Sequence, residues 1–307
     1  MPSMNVVFTQ ILVILLYLLV GFVAGKSGLV SPAQRKYLTR LCTNLILPFT
    51  ILSAANQSVS GRQLAELGLA AALMLGIFAL TTFVALRVQT ARGVALPAKV
   101  TTASLVTYPN CTFLGLPLCR ALFGDTAILY NAVLMVAFNV LFFTWQISLF
   151  TGEKFRFRNL VTPPSVATAL LIVLLALGIR FPDPVQTVVS NTGAMISPLS
   201  LIIIGVMLSE SPIVAVLRER RAYGIALLRN LLIPLLGMLL LKLMPFEPAG
   251  KVCLLVYLAC PCATMSSIYA IQSDMEPELA ARGVLLSTLL FAATLPAIIY
   301  VGTGFLG

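Results

Sequence analysis

Apolar residues run along this chain in blocks of about twenty, separated by short polar or basic stretches, rather than alternating in twos or recurring on one helical face. Ten blocks can be marked, at 5–25, 37–55, 64–86, 98–119, 126–151, 165–181, 185–209, 221–244, 249–272 and 279–304. A helix needs roughly 20 such residues to cross the hydrocarbon of a bilayer, and there every backbone polar group must find a partner within the protein. The pattern therefore predicts an all-α membrane protein of ten transmembrane helices joined by short loops. The first block reads as a span rather than a secretory signal, because no lysine or arginine precedes Lys26.

Composition agrees, and the charges add a direction. Of the 307 residues, 59% are hydrophobic and 10% charged, and the mean hydropathy is +1.02. Under the positive-inside rule, fourteen of the twenty basic residues, from Lys26 and Arg35 through Lys154, Arg156, Arg158 and Arg218 to Arg282, gather in cytoplasmic loops. Five fall outside: Arg62, Arg120, Arg180, Lys242 and Lys251. Both termini are then expected on the outer side, and the formal charge of +10 marks orientation rather than a nucleic-acid surface. Arg229, about two turns into the eighth block, is expected to snorkel to the headgroups, with attraction of a cytoplasmic anion as the other reading.

Two prolines sit in mid-block with small or polar neighbours: Pro109 between Tyr108 and Asn110, and Pro261 between Cys260 and Cys262. Proline removes a backbone donor and collides with the preceding turn, so both blocks read as interrupted helices. Pro109 and Pro261 are 152 residues apart, Pro48 and Pro198 150, and Asp125 and Asp274, each an expected helix N-cap, 149. Five spans separate the members of each pair, an odd number, so the second half enters the membrane inverted. Residues 1–151 and 165–307 are thus expected to form two inverted five-helix repeats, joined by a basic cytoplasmic linker at 152–164. Matched breaks in the two halves point to a transporter site near the bilayer midplane.

Each break should present an open helix N-terminus, where unpaired N–H groups and the positive dipole end favour an anion. Asn110 adds an amide donor, and Thr112, Thr264 and Ser266 add hydroxyls. Asn44, one turn before Pro48, either faces the substrate or caps the carbonyl that Pro48 frees. The expected binding set is Asn44, Pro48, Tyr108, Pro109, Asn110, Cys111, Thr112, Pro261, Cys262, Ala263, Thr264 and Ser266. All ten acidic residues fall in loops or at block ends, and histidine is absent. Proton relays need ionisable groups deep in the bundle, so cation exchange is not expected, and general acid–base catalysis lacks its players. No phosphate-binding loop motif occurs, which excludes a built-in ATPase. Asn131, Asn139 and Gln146 of the fifth block are expected to bond helices together. The six cysteines suggest neither a disulfide framework nor a zinc site, so no metal or cofactor is expected.

The stretch Asn110-Cys111-Thr112-Phe113-Leu114-Gly115-Leu116-Pro117-Leu118, continuing to Ala121-Leu122-Phe123-Gly124, resembles the fourth-span signature of the auxin efflux carrier family. Asn44-Leu45-Ile46-Leu47-Pro48 is similar to its second-span motif, and Pro261, Tyr269-Ala270 and Leu286-Ser287-Thr288-Leu289 fit later ones. The resemblance implies the inverted five-plus-five fold shared with bile acid/sodium symporters, in which helices 4 and 9 cross at their breaks. It further implies a scaffold of helices 1, 2, 6 and 7, a transport domain of helices 3–5 and 8–10, and a homodimer. The substrates implied are small organic anions, auxin in plants and malate or malonate in bacterial relatives, with Pro109, Asn110 and Pro261 at the crossover. Cys262 and Ala263 stand where plant carriers have an asparagine, and the long cytoplasmic loop of those carriers is missing. The compact form is similar to the prokaryotic branch and implies a bacterial inner membrane. A sodium-coupled organic-anion symporter and a non-transporting membrane sensor are the alternatives.

Overall fold

The computed structural model describes residues 4–154, 160–210 and 212–306. Its helices in chain order are α1 (Met4–Lys26), α2 (Pro32–Asn56), α3 (Gly61–Ala91), α4 (Leu96–Thr107), α5 (Cys111–Phe123) and α6 (Thr126–Thr151). There follow α7 (Pro163–Leu177), α8 (Asp183–Glu210), α9 (Ile213–Arg218), α10 (Arg220–Leu243), α11 (Pro248–Ala259), α12 (Thr264–Gln272) and α13 (Pro277–Leu306). Seven of them (α1, α2, α3, α6, α8, α10 and α13) are long and apolar enough to cross a membrane, while α5, α7 and α11 are shorter apolar helices. Among the described residues there is no strand, only a single antiparallel bridge between Pro109 and Cys262. Helix occupies each of the ten expected blocks, and the fourth and ninth are the broken pairs α4/α5 and α11/α12. Of the expected linker, residues 155–159, with Arg156 and Arg158, lie outside the described residues.

Local chemistry sets the ends. Ser31 caps α2 in a reciprocal box with Gln34, and Thr162 does the same for α7 with Ser165. Of the two expected aspartate caps, Asp125 holds the N-cap position of α6 without a side-chain bond to the helix, and Asp274 stands three residues ahead of α13. Asp125 stands at the start of α6, but its carboxylate accepts from Arg120 Nε at 2.8 Å instead of from the helix. Asp274 lies ahead of α13 in a left-handed turn with φ 52°. A nearby guanidinium is a stronger donor than a backbone amide, which accounts for Asp125.

Five of the prolines show two different outcomes. Five-residue π-turns precede Pro48, Pro117 and Pro234 (Cys42–Ile46, Cys111–Gly115 and Leu228–Leu232), and the wider turn carries the helix past the ring unbroken. At Pro109 and Pro261 the preceding residues are extended instead, with ψ 121° at Tyr108 and 147° at Cys260, and the helix stops.

The helices pack as two groups. In the first, α1 lies along α8 because Gly21 meets the Ile202 carbonyl and Gly205 the Leu18 carbonyl, where any Cβ would overlap the oxygen. Thr50 Oγ1 of α2 donates to Gly193 O of α8 at 2.8 Å, and α7 packs on α2. The second group joins α3–α6 with α10–α13. Among the described residues, ion pairs stay within groups: Arg35–Glu210 at 2.7 Å in the first, Arg221–Glu276 and Arg282–Glu219 at 3.1 Å in the second. Among the described residues, two side-chain hydrogen bonds cross between them, Ser200 Oγ to Phe113 O at 2.8 Å and Gln57 Nε2 to Asp125 O at 2.9 Å.

Candidate functional site

The two breaks lie against each other. Asn110 N–H donates to Pro261 O at 2.7 Å and Ala263 N–H to Tyr108 O at 2.9 Å, so the extended segments form a miniature antiparallel ladder. Cys262 N–H donates to Ser287 Oγ of α13 at 3.1 Å. These bonds supply part of what a continuous helix would have provided, as an interior without water requires.

At the carbonyl ends of α4 and α11 the replacement comes from Arg229. It is 0% exposed. Its Nε donates to Cys260 O at 3.0 Å and its Nη1 to Val106 O and Thr107 O at 3.1 and 2.8 Å, while Nη2 donates to Leu258 O. Snorkelling is therefore overturned: the side chain reaches inward because four unsatisfied carbonyls outweigh the headgroup region, and it does not line the cavity described next. The next residue, Asn230, donates to Ser287 O at 2.8 Å. Both belong to the π-turn ahead of Pro234. Sequence held a signal for Arg229, since an ionisable side chain within a span faces the bundle interior by default.

On the amide side of the crossing lies a cavity of about 310 Å³. From the first group it is walled by Thr43, Asn44 and Leu47 of α2 and by residues 161–164 at the start of α7. From the second come Pro109, Asn110, Cys111, Thr112, Phe113, Ala263, Thr264 and Met265 at the breaks, with Met135, Phe138, Asn139 and Phe143 of α6. No Lys, Arg, Asp or Glu is among these residues. The cavity therefore lies between the two packing groups.

Of the expected set, Asn44, Pro109, Asn110, Cys111, Thr112, Ala263 and Thr264 are thus brought to one cavity. Asn110 is 6% exposed, and its Nδ2 donates to Thr264 Oγ1 at 3.2 Å across the breaks. Thr112 Oγ1 lies 3.1 Å from Met135 Sδ. Pro48, Tyr108, Pro261, Cys262 and Ser266 are not in the wall. Tyr108 is buried among Phe78, Phe138 and Phe142, ring centroids 5.8, 5.3 and 5.0 Å away. Ser266 Oγ accepts from Ser104 Oγ at 2.8 Å and ties α12 to α4. Asn139, expected to bond helices, lines the cavity, whereas Gln146 does join helices, donating to Val100 O at 3.4 Å.

The first amides of α5 and α12 have no partners inside their own helices, and both helix starts are at the cavity wall. Two positive dipole ends, an amide and hydroxyls around an uncharged chamber can hold a small anion without a fixed cation. All six cysteines are free and buried.

Long apolar helices and a cavity set between two interrupted ones define a multi-pass membrane transport protein. The family described as membrane transport protein matches residues 6–159 and 146–299, nearly the whole chain. The chain belongs to this family, the auxin efflux carriers. No curated protein matches it.

Proposed function

We propose that the protein is a secondary carrier for a small mono- or dicarboxylate, of malate, malonate or auxin type, bound where α5 and α12 begin. The observation that carries this reading is the uncharged cavity of about 310 Å³ onto which both helix starts and Asn110 open. That volume lies at the small end of ligand pockets, about 300–1,000 Å³, and suits a compact anion. Ten spans in two inverted halves, with α4/α5 and α11/α12 crossing, are the reading's architecture. The groups α3–α6 with α10–α13 and α1, α2, α7 and α8 serve as transport domain and scaffold. The few polar links between them support a rocking or sliding motion that exposes the site alternately. With both termini outside a bacterial inner membrane, the cavity faces the cytoplasm, and the working unit is a homodimer.

A thermal-shift screen of mono- and dicarboxylates on purified protein tests the site, followed by uptake of the best stabiliser into proteoliposomes. A specific stabiliser whose effect is lost in Asn110→Ala is the expected result. A stabiliser that binds equally well to that variant places the site elsewhere, and binding without uptake turns the reading to a sensor.

A further inference from the structure

Four carbonyls from two separate helix ends converge on one point: Val106 and Thr107 from α4, Leu258 from α11 and Cys260 just beyond it. A helix C-terminus carries roughly half a negative charge, so the pair makes a strong cation site. Carbonyls at the C-terminal ends of broken helices are also the groups that hold coupling cations in carriers of this general build. Here the point is already taken by a cation that cannot leave. The Arg229 guanidinium is fully buried and donates to all four oxygens, and none of the described ion pairs includes it. Among the described residues, its charge is met by the two dipole ends. The planar fork of five N–H donors explains why arginine suits the place: four carbonyls call for four donors, and an ammonium has only three. Asn230 and Ser287 tie the same turn of α10 to the ninth break, so the guanidinium is held in register with both helix ends.

We propose that Arg229 is a resident counter-cation that occupies the place of a coupling cation, positions the two breaks against each other and makes the carrier independent of sodium. Its removal opens a latent site that takes free guanidinium ion and, more weakly, sodium. The transport part rests on the carrier reading above, and the stability part does not.

The test compares wild type, Arg229→Ala and Arg229→Lys in sodium buffer and in a buffer whose cation is N-methylglucamine. Wild-type melting temperature and carboxylate uptake are expected to be the same in both. Arg229→Ala is expected to melt about 8 °C lower, with at least half of that loss and of the uptake restored by millimolar guanidinium chloride. Arg229→Lys is expected between the two and indifferent to sodium. Sodium raising the melting temperature or uptake of the wild type overturns the proposal, as does a folded Arg229→Ala that guanidinium does not stabilise. Should Arg229→Ala fail to fold, the wild-type sodium comparison and Arg229→Lys decide alone, and a lysine variant that gains sodium dependence counts against arginine as the resident cation. A wild type that takes up no carboxylate sinks the carrier reading, while the melting comparisons still decide the role of Arg229.

Discussion

The two poles of the crossing are built from the same break and finished in opposite ways. At the carbonyl pole, α4 and α11 end on Arg229, and the oxygens of Val106, Thr107, Leu258 and Cys260 are satisfied inside the protein. At the amide pole, α5 and α12 start at a cavity whose polar wall consists of amides and hydroxyls such as Asn44, Asn110, Asn139 and Thr264. The difference fits the proposed division of labour. A pole that only keeps two helices together gains from a permanent charge. A pole that binds and then releases an anion is better served by half-charges of helix dipoles, since a site must hold its ligand weakly enough to let it go.

If the poles are divided in this way, mutations should divide too. Beyond Arg229, the largest expected effect is on the open pole. Asn110→Ala removes an amide donor to an anion, about 1.5–3 kcal/mol, or roughly 10–100-fold in carboxylate affinity, with the melting temperature of the free protein nearly unchanged. Titration calorimetry and melting curves on the same preparation measure both. On the closed pole, Asn230→Leu removes the side-chain donor that Ser287 O has beyond its own helix and is expected to cost about 1 kcal/mol of stability with affinity intact. An affinity loss at Asn230 equal to that at Asn110 would erase the distinction between the poles. Thr264→Val deprives Asn110 of its 3.2 Å acceptor and is expected to weaken carboxylate binding by about 1 kcal/mol.

The backbone plan was legible in the sequence because membrane helices are long and proline acts locally. Block positions and both interruptions follow from rules that need no knowledge of neighbours. What was not legible depends on who the neighbours are. Pro48 and Pro109 look alike in sequence, yet one is absorbed by a π-turn and the other is stabilised by a ladder to Pro261 from 152 residues away. Arg229 looks like a snorkelling side chain until the carbonyl ends of α4 and α11 are placed beside it. Asn139 and Gln146 share one helix and one chemistry, and only packing sends the first to the cavity and the second to Val100 O. The aspartates at 125 and 274 show the same limit, because a cap is decided by competition with the nearest guanidinium or turn.

The smallest expected effect concerns the two halves of the amide pole. The sequence draws attention to Cys262 and Ala263 as the point where the ninth break departs from plant carriers, and of the two Cys262 is fully buried with its N–H already taken by Ser287 Oγ. The ninth break meets the cavity through Ala263, Thr264 and Met265. Cys262→Ala should therefore change carboxylate affinity by less than about 2-fold, equal to roughly 0.4 kcal/mol, although a buried truncation costs some stability. Ala263→Asn, in contrast, sets a second amide at the cavity wall near Asn110 and should tighten dicarboxylates several-fold more than monocarboxylates, because the second carboxylate gains a donor that alanine lacks. Thermal shifts across a matched series of mono- and dicarboxylates read out both variants. Selectivity that moves with Cys262 and not with Ala263 would mean that the ninth break acts through its backbone geometry rather than its wall, and the open pole would then have one functional half instead of two.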